Sequence, residues 1–326
     1  MTTFKEIRGT AVESVSSDPT NPEVGQIWYN NTIGVLKGYK SLGGAWAAGS
    51  NMNTARADAG QAGTQTEALA FSGFTSPPFN VPTAVEEYNG ATWTSVPGTM
   101  GTSRYGVACA GTQTAALGAG GSTGSAPYAN AITEEYDGST WSPGGNLGTA
   151  RYQLSGCGTQ TSALAFGGRP PTNGLANTEE YDGSVWTGGG NLGTGRRDFA
   201  SAGTQTAGLA FGGFNPGLLT ATEEYDGSAW TAGGNLPTGT GGLAGTGIQT
   251  AALAFGGGIP GDTANANIYN GTSWAATGSL STARSQLSGA GTITAGLAFG
   301  GSVPTPTAAT EEFTDPSFST VKITTS

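Results

Sequence analysis

The chain contains no histidine, only two cysteines and three methionines, and only 10% of its 326 residues are charged. Each shortage removes a class of function. Without histidine, the commonest general base, the commonest zinc ligand and the usual switch near neutral pH are gone together. Cys109 and Cys157 fall two residues and one residue ahead of matching G-T-Q-T blocks. An offset of one residue flips a side chain across a strand, so the two are expected to face opposite ways and stay free, as suits a reducing cytoplasm. Basic residues are also scarce: 12 Lys and Arg against 22 Asp and Glu give a formal net charge of -10. Such a chain has no electrostatic footprint for phosphate backbones or anionic lipid, so neither nucleic acid nor membrane is an expected partner. No stretch approaches a membrane span of about 18 apolar residues. The opening Met1–Gly9 lacks the apolar run of a signal peptide, so no encoded export signal is expected.

Glycine, by contrast, is abundant at 58 residues, and it recurs in register. G-T-Q-T begins at Gly63, Gly111, Gly158 and Gly203, and returns as G-I-Q-T from Gly247 and G-T-I-T from Gly291. Tryptophans stand at Trp46, Trp93, Trp141, Trp186, Trp230 and Trp274, 44 to 48 residues apart. That period is typical of propeller blades. Each repeat offers four strands. Strand a starts near an arginine (Arg56, Arg104, Arg151, Arg196, Arg284) and runs to G-T-Q-T; strand b ends at Gly-Gly; strand c is the T-E-E-Y segment; strand d holds the Trp. Asn-Gly or Asp-Gly pairs, such as Asp137-Gly138 and Asp182-Gly183, lie between c and d and mark tight hairpins.

The ends of the array imply how it closes. The repeat from Arg284 to Phe313 lacks a Trp, and Trp46 lacks strands a and b of its own. The expectation is an all-β, six-bladed propeller in which an N-terminal strand carrying Trp46 completes the last blade and removes an open edge. Val35–Tyr39 and Ala309–Phe313 compete for strand c of that blade. Residues 1–45 form a separate N-terminal module with a hairpin of Gly25–Asn30 and Val35–Tyr39, after a proline-containing loop at Ser16–Glu23. Residues 46–314 form the propeller and 315–326 a tail, whose Ser319–Ser326 offers a further strand to the module.

Gly-Gly after an apolar strand, then Tyr, then Trp about five residues on, resembles the kelch repeat across roughly residues 46–314. The wording G-T-Q-T-A-x-L-A-F-G-G and T-E-E-Y-D-G-S-x-W, with N-P-E-V-G-Q-I-W-Y-N-N-T-I-G-V-L-K at residues 21–37, is similar to structural proteins of tailed, especially marine, bacteriophages. That resemblance implies a virion component, a tail or capsid appendage. Residues 1–45 would dock onto other virion proteins, copies of the chain would associate within the assembly, and the repeats would point outward for host attachment. The alternative is a receptor- or glycan-binding adhesin not tied to a virion.

The candidate chemistry is mostly structural. Carboxylate pairs at Glu86-Glu87, Glu134-Glu135, Glu179-Glu180, Glu223-Glu224 and Glu311-Glu312 repeat five times, whereas a catalytic pair occurs once. The fifth repeat has Asn267-Ile268 in place of Glu-Glu and Thr240 in place of the arginine. Their joint loss implies half-buried pairs within each blade: Arg104 with Glu134, Arg151 with Glu179, Arg196 with Glu223, and Arg284 with Glu311. Regular placement assigns the tryptophans to packing between blades. Asp-Gly-Ser-x-Trp lacks the residue that separates Asp from Gly in the sialidase Asp-box, and the glycine-rich segments lack the lysine of a phosphate loop. No catalytic residue, cofactor or metal ligand is therefore assigned, and the chain is not expected to be an enzyme. What remains are the b–c loops, variable on a regular scaffold and rich in proline. Phe74, Phe79, Tyr128, Arg169 and Phe214 on these loops, with Trp28 and Tyr29 in the module, are the candidate partner-binding residues, for protein or glycan.

Overall fold

The computed structural model of the chain describes residues 12–17, 27–40, 43–170, 174–258, 261–315 and 319–322. Pro171, Ile259, Pro260, most of the Ser16–Glu23 loop, the start 1–11 and the end 323–326 lie outside the described residues. All regular structure among them is β-strand, and no helix is long and apolar enough to cross a membrane. The chain divides into two compact units, Met1–Gly44 with Asp315–Ser326, and Ala45–Thr314.

The first unit is one sheet of four strands, β1 (Glu13–Val15), β2 (Ile27–Asn30), β3 (Val35–Lys40) and β28 (Ser319–Lys322), in that order. β2 and β3 form the hairpin, turned at residues 31–34, where Asn30 Oδ1 accepts from the Thr32 and Ile33 amides at 3.2 and 3.3 Å. β1 lies parallel to β2, and β28 adds antiparallel to β3, so the tail's strand belongs with the module. A three-residue strand has no readable period, which is why β1 escapes sequence reading.

In the second unit, six four-stranded antiparallel sheets follow one another among the described residues. Sheet I is β5 (Gly60–Gly63), β6 (Ala68–Phe71), β7 (Val85–Tyr88) and β8 (Trp93–Val96). Sheet II is β9 (Ala108–Thr112), β10 (Ala115–Ala119), β11 (Thr133–Tyr136) and β12 (Trp141–Pro143). Sheet III is β13 (Ser155–Thr159), β14 (Ser162–Phe166), β15 (Thr178–Tyr181) and β16 (Trp186–Gly188). Sheet IV is β17 (Ala200–Thr204), β18 (Ala207–Phe211), β19 (Thr222–Tyr225) and β20 (Trp230–Ala232). Sheet V is β21 (Ala244–Ile248), β22 (Ala251–Phe255), β23 (Ala266–Tyr269) and β24 (Trp274–Ala276). Sheet VI joins β25 (Ser288–Gly291), β26 (Ala295–Phe299) and β27 (Thr310–Thr314) to β4 (Ala45–Ala48). The third place in sheet VI thus belongs to Thr310–Thr314, with Phe313 opposite Trp46, while Val35–Lys40 stays in the other unit. The first strands lie side by side in the order β5, β9, β13, β17, β21, β25, and β25 lies beside β5.

The G-T-Q-T glycine is fixed by its turn. Gly111 has φ +107°, and a Cβ there would meet the Ala115 carbonyl oxygen at 2.0 Å, so no other residue fits. The glutamine of the same block reaches back to the preceding sheet. Gln113 Nε2 donates to the Ala68 and Tyr88 carbonyls at 3.0 and 2.7 Å, and Gln65 does the same to Gly296 and Phe313 of sheet VI.

Two further ties repeat between neighbours. The Tyr of strand c donates to the second Glu of the preceding sheet: Tyr136 to Glu87 at 3.0 Å, Tyr181 to Glu135 at 2.5 Å, and Tyr88 to Glu312 at 2.5 Å. The Trp indole donates to the T-E-E-Y threonine of the preceding sheet, as Trp186 to Thr133 at 2.9 Å and Trp93 to Thr310 at 3.0 Å. Each ring also packs on its own Tyr or Phe. In five sheets it meets the preceding sheet's Phe as well, as Trp230 does with Phe166 at 4.7 Å.

Where the acceptor is missing, the indole is orphaned. Val85 and Ala266 replace the threonine in sheets I and V. The buried Nε1 atoms of the facing Trp141 and Trp46 have no partner. Val85→Thr should therefore supply an acceptor of nearly the same shape and raise stability by about 1 kcal/mol, the usual net worth of a buried hydrogen bond. Urea unfolding measures it; unchanged or lower stability would show that Trp141 is not held as described.

Candidate functional site

Five arginines begin the sheets, and each is fully buried. Their fork spans strands b and c because strand b ends in small residues that leave the path open. In sheet III, Arg151 Nη1 donates to the Gly167 and Asn177 carbonyls at 3.2 and 2.7 Å, and Nη2 to Glu179 Oε1 at 3.0 Å. The pairs Arg104–Glu134 at 2.7 Å and Arg284–Glu311 at 3.1 Å follow suit, as does Arg196–Glu223. Arg56–Glu86 at 2.5 Å is a fifth. These pairs are buried rather than half-buried, because the chain entering strand a folds over each carboxylate. Glu179 Oε2 also accepts from the Gly148 amide at 2.6 Å. Burial pushes Arg151 down to about 10, against the raising effect of Glu179, so it remains a cation at neutral pH. Both members of every Glu pair are thus engaged: the first inside its sheet, the second with the next sheet's Tyr.

Two residues after each arginine position stand Asp58, Gly106, Gln153, Asp198, Gly242 and Gln286. Their amides and carbonyls form a closed head-to-tail circle. Asp58 N donates to Gln286 O at 2.9 Å, Gly106 to Asp58 at 3.1 Å, Gln153 to Gly106 at 2.8 Å, Asp198 to Gln153 at 3.2 Å, Gly242 to Asp198 at 2.7 Å, and Gln286 to Gly242 at 2.7 Å. All six have φ between 49° and 65°, a region that disfavours the four non-glycines. They rim a small cavity of about 90 Å³ floored by Gln61, Cys109, Gly156, Ser201 and Gly245.

Asp58 and Asp198 come from sheets I and IV, and Asp58 feels the charge of Asp198. Burial first, then Asp198, pushes the Asp58 carboxyl up to about 8, opposed by the Gln286 amide donating at 3.0 Å. Asp198 is raised by burial and partly relieved by its ion pair with Arg197. An acid held protonated in the fold binds more protons native than unfolded. Its contribution is therefore present below the ordinary Asp range and lost as pH rises through about 8. Asp58→Asn is expected to raise the urea midpoint more at pH 8 than at pH 5; equal effects at both would contradict the assignment.

The b–c loops emerge at this same end of the strands. Phe74 and Phe79 stack at 5.6 Å, and Tyr105 meets them edge-on at 5.5 and 6.0 Å. Phe79 stays 54% exposed, lying against Gly124 of the next loop, and Tyr128 is 45% exposed. The Arg169 guanidinium lies 4.7 Å over the Tyr152 ring, and that of Arg197 4.5 Å over Phe214. Sheets I to IV thus bring an aromatic and cationic band to one end of the unit.

Two expectations change. Phe74 and Phe214 are half-buried rather than exposed, because Phe79 and Tyr105 cover the first and Arg197 the second. Trp28, expected to meet a partner, is fully buried, while its neighbour Tyr29 is 41% exposed; strand alternation turns one inward and the other out. Tyr105, Tyr152, Arg197 and the rim residues were not found from sequence, although the variable letters one and two places after each arginine were the available signal. Both cysteines are free thiols pushed up to about 12 by burial. Cys109 Sγ accepts from Gln61 of sheet I at 3.3 Å, and Cys157 turns to Thr204 of sheet IV. Among the described residues no group of three or more His, Cys, Asp or Glu could hold a metal ion. No protein-family model matches the chain, and none of the curated proteins matches it.

Proposed function

We propose that Ala45–Thr314 is a closed six-bladed propeller, with β4 as the outer strand of its last blade, and that it serves as a non-enzymatic recognition module. The hydrogen-bonded circle from Asp58 to Gln286, the pairing of β4 with β27, and the ties from Gln65, Tyr88 and Trp93 to sheet VI support closure. The observation that carries the recognition reading is the Phe74–Phe79–Tyr105 cluster. Its outermost ring, Phe79, stays 54% exposed at the loop end while its other face covers Phe74. Aromatic faces beside polar groups suit a glycan or a protein loop.

In this reading the ligand end faces outward from a bacteriophage tail or capsid appendage, and the unit built from Met1–Gly44 and Asp315–Ser326 attaches to other virion proteins. The placement on a virion rests on the wording of residues 21–37 and of the repeats alone. A glycan array tests recognition. Wild-type chain should give a saturable signal that Phe79→Ala lowers at least about tenfold, the usual scale of an interface anchor. Ile248→Ala, at the exposed a–b turn on the opposite end, should leave it unchanged. Equal loss in both variants, or none, would remove the loop end from recognition. Attachment predicts that the chain co-sediments with virus particles and that deleting Glu13–Lys40 abolishes this.

A further inference from the structure

Sheet V departs from the other five sheets around its arginine position. Thr240 stands where the others have a buried arginine, Asn267 where they have its glutamate, and Pro237 where they have the amide that caps the glutamate. Proline has no N–H to give. All three members of one hydrogen-bonded unit are therefore absent together, yet the receptor for the guanidinium persists.

In sheets III, IV and VI, the carbonyls that accept from Arg Nη1 are Gly167 and Asn177, Gly212 and Ala221, and Gly300 and Ala309. Within each pair the glycine amide also donates to the other carbonyl, at 3.0 to 3.1 Å. Gly256 and Asn265 of sheet V keep that bond at 3.0 Å, and hence the same two acceptors. No guanidinium fills the space. It is a cavity of about 400 Å³, lined among others by Leu218, Leu243, Gly256, Asn267 and Thr240. The Thr240 Oγ1 is buried there without a partner.

We propose that this cavity binds a monosubstituted guanidinium group brought by another molecule, either an arginine side chain of a protein or a small alkylguanidine. The reasoning is geometric. Two carbonyls that one Nη1 bridges in neighbouring sheets suit a planar fork better than a point-like ammonium. Leu218 and Leu243 offer apolar cover to the alkyl stem, as arginine stems commonly require. The neutral Asn267 replaces a carboxylate, so binding is weak and tunable. The net charge of -10 favours a cation over an anion at long range. The site is separate from the aromatic loop cluster and does not depend on it.

The test is calorimetric titration of the full chain with ethylguanidinium chloride, ethylurea, ethylammonium chloride and the blocked tripeptide acetyl-Gly-Arg-Gly-amide. Ethylguanidinium should bind saturably, and the urea and ammonium at least about fivefold more weakly. Asn267→Glu, which restores the carboxylate found in the other sheets, should tighten ethylguanidinium binding about tenfold through a charge-assisted pair. Thr240→Arg with Asn267→Glu, which fills the cavity from within, should abolish it. Tripeptide binding as tight as the small ion identifies an arginine side chain as the natural occupant, and binding of the ion alone identifies a free alkylguanidine. No saturable binding, equal binding of ethylurea, or no gain in Asn267→Glu would overturn the proposal. The last measurement stands even if the filled variant fails to fold.

Discussion

Arg151→Thr should destabilise the chain by about 3–5 kcal/mol, the penalty for leaving one member of a buried ion pair without its partner. The effect is large because the survivor stays buried inside the sheet. Arg151 is fully buried and Glu179 nearly so, at 0% and 9% side-chain exposure. After the substitution, Glu179 keeps only the Gly148 and Thr149 amides at 2.6 and 3.3 Å. The Gly167 carbonyl loses its donor, and Asn177 one of two. Glu179→Asn should be similarly damaging, since it strands a buried cation.

The double variant Arg151→Thr/Glu179→Asn should cost clearly less than the sum of the two, because neither charge is then left alone. Sheet V carries that combination at Thr240 and Asn267 and keeps the same strand pairing. Urea denaturation of the four proteins in the cycle measures the coupling. Additive effects would mean that the pair acts through packing alone.

The same comparison between repeats explains what the sequence made legible. The four-strand plan, the tight turns and the Arg–Glu relation all follow from residues that recur in register, and loss at one position exposes its partner. The signal extended further. Sheet V has Ile268 where other sheets have the second glutamate, and Phe313 stands in sheet VI where the facing tyrosine would be. The two lost polar groups are replaced by apolar neighbours in one cluster. Ile293 likewise replaces the glutamine that would tie sheet VI back to sheet V, and Ala266 leaves Trp46 without an acceptor. The junction between sheets V and VI thus lacks all three side-chain ties that the junction between VI and I keeps.

The rim from Asp58 to Gln286 was not legible, because its closing interactions run between backbone groups and its letters vary. Nor was the depth of burial of the ion pairs. Spacing placed the charges, but the cover over each glutamate comes from linker amides that pattern does not reveal. The loop aromatics Phe74 and Phe79 could be singled out from the sequence as residues outside the repeat. Their mutual stacking depended on the paths of loops with no period to read.

The second large effect concerns β4. A chain trimmed to residues 43–315 should stay soluble and unfold cooperatively, whereas one trimmed to 49–315 should melt far lower and aggregate. The two differ by six residues that include all of β4. That strand brings Trp46, whose ring sits 4.9 Å from Phe255 and 5.1 Å from Phe313, bridging sheets V and VI. Removing this partly buried tryptophan costs up to about 3 kcal/mol, the low end for a core tryptophan, before any backbone bond is counted. The trim also strips the β4 partner from Thr310–Thr314, leaving a strand with an unpaired edge, the usual template for association between chains. The damage falls where the repeated polar side-chain ties are missing, so sheet VI is held to sheet V mainly by their shared apolar cluster, which Trp46 joins. Trp46→Ala in the full chain should reproduce the loss of stability without the aggregation, since the β4 backbone still covers the edge. A peptide of residues 43–50 added to the shorter fragment should restore part of its melting temperature. If both fragments melt alike, β4 does not complete the last sheet in solution, and the closed six-bladed reading fails with it.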